Sequence, residues 1–457
     1  MADACRLGRL RLVRLPPAFI VVPRGAKGAA TVPVELAVGV TDDYGVDLDM
    51  FESLELQIEL LDAATLTPPA GVSLRLENTS SLSSASPPSA ATFTFTPSRG
   101  PFHALKLSLT FPSSTRALPG VLSFRLSVAH SPSSSTSLPP TESAATRRIR
   151  RLVGEEDQEV LETWDEKRYV FMGLRSGNVE LRVEGKEAKV AGQKVQTALR
   201  TLHLAAASSS SPAVSSSPVS SASTMTIVER PGLNNSTGQR LWDCAIGLSC
   251  FFSLFPSALD AATPLSSFSS AADDSAPPAK RARVSQGEPG RRVKVVELGA
   301  GCALASMAAA KRLLPGAEVL ATDVQATVES TLRENLAANG LLEDGEERGV
   351  HAGVIDWGVL SPERVATLSR SGGQPVPLTL IGSDILYNPS SHPLLLSSLL
   401  SFLRPADSSP VEQPRRALIA YKHRTEGDDA FFALAEGSGL RVEKVWEWGE
   451  VGVWAFA

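Results

Sequence analysis

The sequence predicts a doubly wound α/β domain over residues 224–457, preceded by an all-β, sandwich-like domain over residues 1–205. Three observations predict this. Residues 293–323 read as a βαβ unit: a β-branched run at Val293, Val295 and Val296, a turn at Gly299-Ala300-Gly301, an Ala-rich helix from Ala303 to Leu313, and a second strand from Ala317 that ends in Asp323. Downstream of it, strand-like and helix-like segments keep alternating, which is the pattern of a largely parallel sheet with helices on both faces. Upstream, residues 7 to 130 hold short strand-like runs between Pro, Gly and Ser clusters, and in one of them Leu54, Leu56, Ile58 and Leu60 alternate with Glu55, Gln57 and Glu59.

The 457 residues exceed what one core supports, about 250–300 residues, so two domains are expected. A net charge of −5 argues against a protein that coats nucleic acid, which needs a basic face, and leaves room for local basic patches. The cysteines, Cys5, Cys244, Cys250 and Cys302, show no paired spacing and no C-x-x-C, so neither a disulfide scaffold nor a metal site is expected, and a reducing compartment fits. No apolar run reaches the ~20 residues of a membrane span, and the N-terminus lacks a signal-peptide core. Its arginines raise a mitochondrial presequence as an alternative. Arg9 and Arg11 alternate with Leu10 and Leu12, however, as on a strand. The expected location is the cytoplasm, with the nucleus as a second compartment.

Within the first half the strands read as LRLVRL, AFIVV, VPVELAVGV, LELQIELL, VSLRLEN, ATFTFTP, HALKLSLTF and VLSFRLSV, followed by a Ser/Pro-rich loop at 131–142. Arg147 to Arg151 against Glu155 to Asp157 read as a solvated, self-compensating surface, with a docking site as the alternative. Residues 168–204 add RYVFMGL, VELRVEG and QTALRTLHL, which complete the first domain or bridge to the second. Residues 206–223 have the composition of a flexible Ser/Pro linker.

The second half opens with Trp242, Ala245, Leu248 and Phe252 at helical spacing: a plain core-facing helix, or one whose Trp walls a pocket. Residues 257–291, rich in Ser, Ala and Pro, read as a disordered insertion. Inside it, Lys280-Arg281-Ala282-Arg283 has the form of a nuclear localisation signal read by an importin; the alternative is charge that keeps the loop solvated. After the βαβ unit come a helix over 324–339 ending at Gly340, a strand over 350–355, a helix around 361–370 and a strand over 378–381. A helix over 392–403, a strand over 417–421, a helix over 428–436 and two strands over 440–447 and 451–456 complete the pattern. Glu297, Asp323, Asp356 and Asp384 all fall at carboxyl ends of strands, where such sheets bind ligands.

A carboxylate at Asp323 suits two vicinal ribose hydroxyls, and glycines at 299 and 301 let the backbone approach a nucleoside closely. A pyrophosphate-binding turn is disfavoured, because Leu304 stands where a third glycine is needed and Glu297 would repel phosphate. The same carboxylate suits the cationic methionyl end of S-adenosylmethionine, directly or through water. NAD, FAD and a ligand-free turn remain the alternatives. Asp356 would accept from an adenine amino group and Trp357 would cover the ring. Asp384 would orient an amine for alkylation, and Tyr387 would pack on a cation. The bland reading makes Asp384 a cap and Tyr387 core.

Together these landmarks resemble the seven-strand class I (Rossmann-like) methyltransferases of family 16, protein-lysine N-methyltransferases. The matching pieces are T-G-x-x-x-W at Thr237–Trp242, E-L-G-A-G-C at Glu297–Cys302, T-D at Thr322-Asp323 with L-x-x-N at Leu332–Asn335, I-D-W at Ile355–Trp357 and S-D-x-x-Y at Ser383–Tyr387. The resemblance spans residues 225–457. It implies S-adenosylmethionine contacts at Trp242, the Glu297–Gly301 turn (Gly299 and Ala300 included), Asp323, Asp356, Trp357 and Ser383, with Asp384 and Tyr387 facing a substrate amine. It further implies a lysine of an intracellular protein as substrate, in the class of translation factors, ribosomal proteins or chaperones. Ala303 departs from the family, many of whose members have glycine there. A small-molecule amine methyltransferase and an inactive scaffold are the competing readings.

Overall fold

The computed structural model describes residues 5–23, 29–48, 51–77, 88–112, 120–129, 144–153, 161–162, 168–183, 195–204, 223–230, 237–268, 292–312, 317–342, 349–405 and 413–457. The basic motif Lys280–Arg283, Glu155 to Asp157 and all of the expected linker except Ser223 lie outside the described residues. Among the described residues no helix is long and apolar enough to cross a membrane.

A 7-stranded sheet organises the second half, in the order Val350–Val354, Glu318–Asp323, Lys294–Leu298, Leu378–Ser383, Arg415–Lys422, Val451–Phe456 and Val442–Trp448. The first five strands pair in parallel, and Val451–Phe456 runs antiparallel to both its neighbours. Parallel strands covered on both faces read as continuous apolar runs, and successive residues point to opposite layers. Val295, Ile381 and Leu418 face the helices Asp243–Leu254 and Leu304–Arg312, while Val296, Leu380 and Ile419 face Pro362–Leu368, His392–Leu403 and Ala430–Gly437. The chain order reverses between Lys294–Leu298 and Leu378–Ser383, where register sets Leu298 beside both Thr322 and Gly382. Gly299, Asp323 and Ser383 therefore emerge at one level of the crevice where ligands bind.

The first half contains a 6-stranded and an 8-stranded sheet that share one apolar core, with Leu10, Leu36, Leu107 and Phe111 of one facing Leu56, Ile58, Phe93 and Phe124 of the other. The strand spans follow the alternation in the sequence, as in Leu54–Asp62 and Phe102–Phe111.

Three readings are corrected. The arginine-rich segment is a helix, Ala144–Val153, with Ile149 and Arg150 buried rather than solvated, because its apolar stripe of Ile149, Leu152 and Val153 packs on the helix Asp243–Leu254. Ser223–Glu229, assigned by sequence to the second domain from residue 224, is an edge strand of the first half's sheet, paired along its length with Ala198–Leu204. The expected insertion does not begin at 257: Ala258, Leu259 and Phe268 are buried, and the Arg416 guanidinium donates to the carbonyls of Ala258, Asp260 and Thr263. Residues 269–291 of it lie outside the described residues. The two halves also merge, since Cys5, Leu7, Val170, Leu202 and Ile227 belong to the same buried cluster as Leu248, Phe251 and Val295.

Candidate functional site

The turn after Lys294–Leu298 is built from left-handed backbone. Gly299 has φ 66° and Gly301 φ 51°, a region glycine enters without the steric cost other residues meet. A Cβ on Gly299 would stand 2.8 Å from Ile385 and 3.4 Å from Trp357, so the glycine keeps a cradle open between them. Ala303 also takes φ 60°, which explains why glycine suits that position; its methyl is buried and does not line the cavity, so it does not crowd a ligand there. Asp323 locks the turn by accepting from the Gly301 N–H at 2.8 Å and from the Val324 N–H at 2.8 Å. Burial pushes its carboxyl above the ordinary value, while those N–H groups pull it down.

Around this turn lies a cavity of about 420 Å³. Of the residues expected to hold a cofactor, Trp242, Gly299, Ala300, Gly301, Asp323, Asp356, Trp357 and Ser383 line it, and so do Asp384 and Tyr387. Glu297 does not. It sits beneath the turn, fully buried, where one oxygen accepts from the N–H and hydroxyl of Ser306 in the next helix and the other has no partner. Burial pushes its carboxyl up to about 8, so near neutral pH it is an uncharged acid rather than a counter-ion for a methionyl group. Trp242 stands at the N-terminal boundary of the helix Asp243–Leu254, in extended backbone, with its indole N–H donating to the Thr237 carbonyl at 2.8 Å. Asp356 holds the Gly358 N–H at 3.0 Å, and the Trp357 carbonyl accepts from Ser398 at 2.9 Å, fixing the indole at the cavity wall. At the rim, Tyr387 is 43% exposed and its hydroxyl meets that of Thr237 at 3.1 Å.

Asp384 leaves its strand with φ 59°, a conformation Asp tolerates better than most side chains. Its carboxylate is gripped in a fork: Arg424 Nε donates to Oδ1 at 2.8 Å and Nη2 to Oδ2 at 2.5 Å, with the Cys244 thiol donating to Oδ1 at 3.5 Å. Arg424 Nη2 also donates to Asp43 at 2.8 Å, and Lys422 bridges Asp43 at 3.1 Å and Asp243 at 3.3 Å. Burial alone would push the Asp43 carboxyl up, yet Arg9, Lys422 and Arg424 hold it well below the ordinary range. The sequence reading missed Arg424, Lys422, Asp43 and Tyr44. The signal for the first two was K-H-R at the carboxyl end of the strand Arg415–Lys422, and for the others a D-D-Y-G turn after Ala30–Thr41. Nothing local tells such a turn that it will be buried against a distant sheet.

The residues present fit S-adenosylmethionine. A carboxylate at the second strand end stands where ribose hydroxyls meet it, a side-chain-free cradle lies at Gly299, aromatic walls stand at Trp242 and Trp357, and the volume falls within the range of small-ligand pockets.

Residues 220–438 match the family model described as lysine methyltransferase, methyltransferase family 16. Among solved structures, the selenomethionine-substituted CurJ carbon methyltransferase shares 16% identity over 37% of this chain and 49% of that one, with a TM-score of 0.26. Fibrillarin of Aeropyrum pernix with natively bound S-adenosyl-L-methionine shares 13% over 36% of this chain and 66% of that one, with a TM-score of 0.26. LepI in complex with S-adenosylmethionine shares 16% over 38% and 45%, with a TM-score of 0.25. This chain thus spans about half the length of the CurJ and LepI structures. No curated protein matches the sequence. Residues 220–438 are thus similar to the lysine methyltransferases of family 16, and the cavity they line fits S-adenosylmethionine as cofactor.

Proposed function

We propose that the chain is a protein-lysine N-methyltransferase acting on an intracellular protein. The observation that supports this reading is a single cavity lined at once by the Gly299–Gly301 turn, by Asp384 and by the exposed Tyr387. Held by Trp242, the Gly299–Gly301 turn, Asp323 and Trp357, S-adenosylmethionine would supply an electrophilic methyl group for the lone pair of a neutral amine. The exposed lining at Tyr387 suits an amine on a long, thin alkyl chain, which a protein surface presents as lysine. Asp384 offers remaining lone pairs to an incoming N–H and so aligns the nitrogen. Because Arg424 already neutralises Asp384, the pair does not favour an ammonium over the neutral amine that reacts. The exposed ring of Tyr387 at the mouth contacts the alkyl stem and stabilises positive charge as it develops.

The test combines binding and labelling. Asp323→Ala should weaken S-adenosylmethionine binding in calorimetry by about 1.5–3 kcal/mol, the scale of charge-assisted hydrogen bonds. The wild-type chain incubated with methyl-labelled cofactor and a cell proteome should then deposit label on a lysine side chain identified by mass spectrometry. Label confined to small molecules would sink the protein-lysine reading, and a chain that binds no cofactor would be a scaffold.

A further inference from the structure

We propose that the Thr41–Asp47 turn of the N-terminal half is part of the methyl-transfer site, with Asp43 as a positioning residue that fixes Asp384 through Arg424. The proposal rests on the reading of Asp384 just given. The turn is held in shape before it reaches the site. Asp42 accepts the Val46 N–H on its side chain at 2.8 Å, its own N–H donates to the Val46 carbonyl at 2.9 Å, and Thr41 and Asp47 close it as a bridge. Asp43 projects from this frame into the second half, with no side-chain exposure, onto Arg424 and Lys422.

Arg424 is the connecting piece. Its Nη2 lies between Asp43 Oδ2 at 2.8 Å and Asp384 Oδ2 at 2.5 Å, while Nε holds Asp384 Oδ1 at 2.8 Å. A guanidinium is planar, so pinning one nitrogen from the far side fixes the plane in which the Asp384 carboxylate must lie. Tyr44, the next residue of the turn, closes the arrangement. The guanidinium carbon lies 4.5 Å from the Tyr44 ring centroid and 5.1 Å from that of Trp242, and the two rings meet edge-on at 5.9 Å. Trp242 lines the cofactor cavity, so the same turn that orients the amine-facing carboxylate also backs a cavity wall. The β-rich half thereby acts in catalysis and not as an appendage.

The experiment uses the full chain and the variants Asp43→Asn, Arg424→Lys and the double variant. In crystal structures of the wild type and Asp43→Asn, the asparagine variant should show Arg424 turned away from its two-point grip and the Asp384 carboxylate rotated; an unchanged Arg424–Asp384 fork overturns the proposal, whatever the substrate is. With saturating S-adenosylmethionine and the labelled proteome, Asp43→Asn should lower the single-turnover rate by roughly tenfold or more with cofactor Kd within about twofold. A full rate overturns the proposal. Arg424→Lys keeps the buried charge and loses the fork, which serves if Asp43→Asn folds poorly. It should slow transfer as much, and adding Asp43→Asn to it should cost nothing further. Independent, additive losses would show that Asp43 does not act through Arg424. Should the wild type label no protein, the lysine reading fails while the crystal comparison still decides the positioning role.

Discussion

Glu297 shows how far one residue's environment departs from its sequence position. At the end of a strand, ahead of a glycine turn, it read as a charged ligand contact, but the helix starting at Leu304 places Ser306 over it and the carboxyl is sealed in. Its acid is pushed up to about 8 by burial, from an ordinary 4.5. The folded chain therefore keeps this proton up to pH 8, while the unfolded chain releases it near 4.5. The contribution is fully present below 4.5 and lost as pH rises through 8, with a slope of at most about 1.4 kcal/mol per pH unit between. Glu297→Gln, which does not titrate, should show a flatter stability profile over that window and overtake the wild type at its alkaline end. Denaturant unfolding at pH 5 and pH 8.5 decides; two parallel profiles would contradict the burial assignment. Asp323, Trp357 and Asp384 were legible because strand ends can be found from apolar runs. Arg424 and Asp43 were not, since a buried ion pair between residues this far apart leaves no local trace.

Elements were legible wherever period decided them, as with His392–Leu403 and Val451–Phe456, whose bounds follow the sequence closely. They failed where a distant partner decided. Ser223–Glu229 pairs with Ala198–Leu204 on one edge, and its other edge is read by two asparagines one helical turn apart. Asn335 accepts the Val228 N–H at 2.7 Å and donates to the Val228 carbonyl at 3.2 Å, and Asn339 does the same for Thr226 at 2.8 and 2.7 Å. Residues i and i+4 of a helix are spaced much like alternate residues of a strand, so one helix face substitutes for a neighbouring strand. Asn335→Ala strips both groups of a buried residue and should cost about 2–4 kcal/mol, two unmade hydrogen bonds. Faster amide exchange across 223–229 with an intact 7-stranded sheet is the expected signature; uniform exchange changes would refute a local role. The 256–268 segment behaves alike. A deletion of 258–290, harmless if all of it looped out, removes Leu259 and Phe268 from the core and the three carbonyls that accept from the Arg416 terminal nitrogens, and should lower stability by more than 3 kcal/mol in thermal unfolding.

At the scale of the whole molecule, composition divides the chain near residue 215 while energetics do not. The cluster around the helix Asp243–Leu254 draws Leu7, Ile149, Val170, Leu202 and Ile227 from the first half into contact with Leu248, Phe251 and Val453 from the second. Charges cross as well: Arg9 reaches Asp243 at 2.6 Å, and Asp43 reaches Lys422 and Arg424. Removing one partner of a buried pair costs about 3–5 kcal/mol because the other is left unpaired in low dielectric. A fragment of residues 223–457 would take Arg9 from Asp243 and Asp43 from Lys422 and Arg424, leaving only the Lys422–Asp243 and Arg424–Asp384 pairs, expose the face of the Asp243–Leu254 helix that the Ala144–Val153 helix covers, and leave Ser223–Glu229 without its sheet. Since a domain's whole stability is about 5–15 kcal/mol, these losses together suffice to unfold it. The expected result is that the isolated fragment is insoluble or lacks near-ultraviolet circular dichroism, and that co-expression with residues 1–222 restores both solubility and S-adenosylmethionine binding. The full chain should melt in a single transition seen alike by tryptophan fluorescence, five of whose six sources lie in the second half, and by the β-rich signal in the far ultraviolet. Two separated transitions, or a fragment that binds cofactor alone, would show that the halves are independent after all.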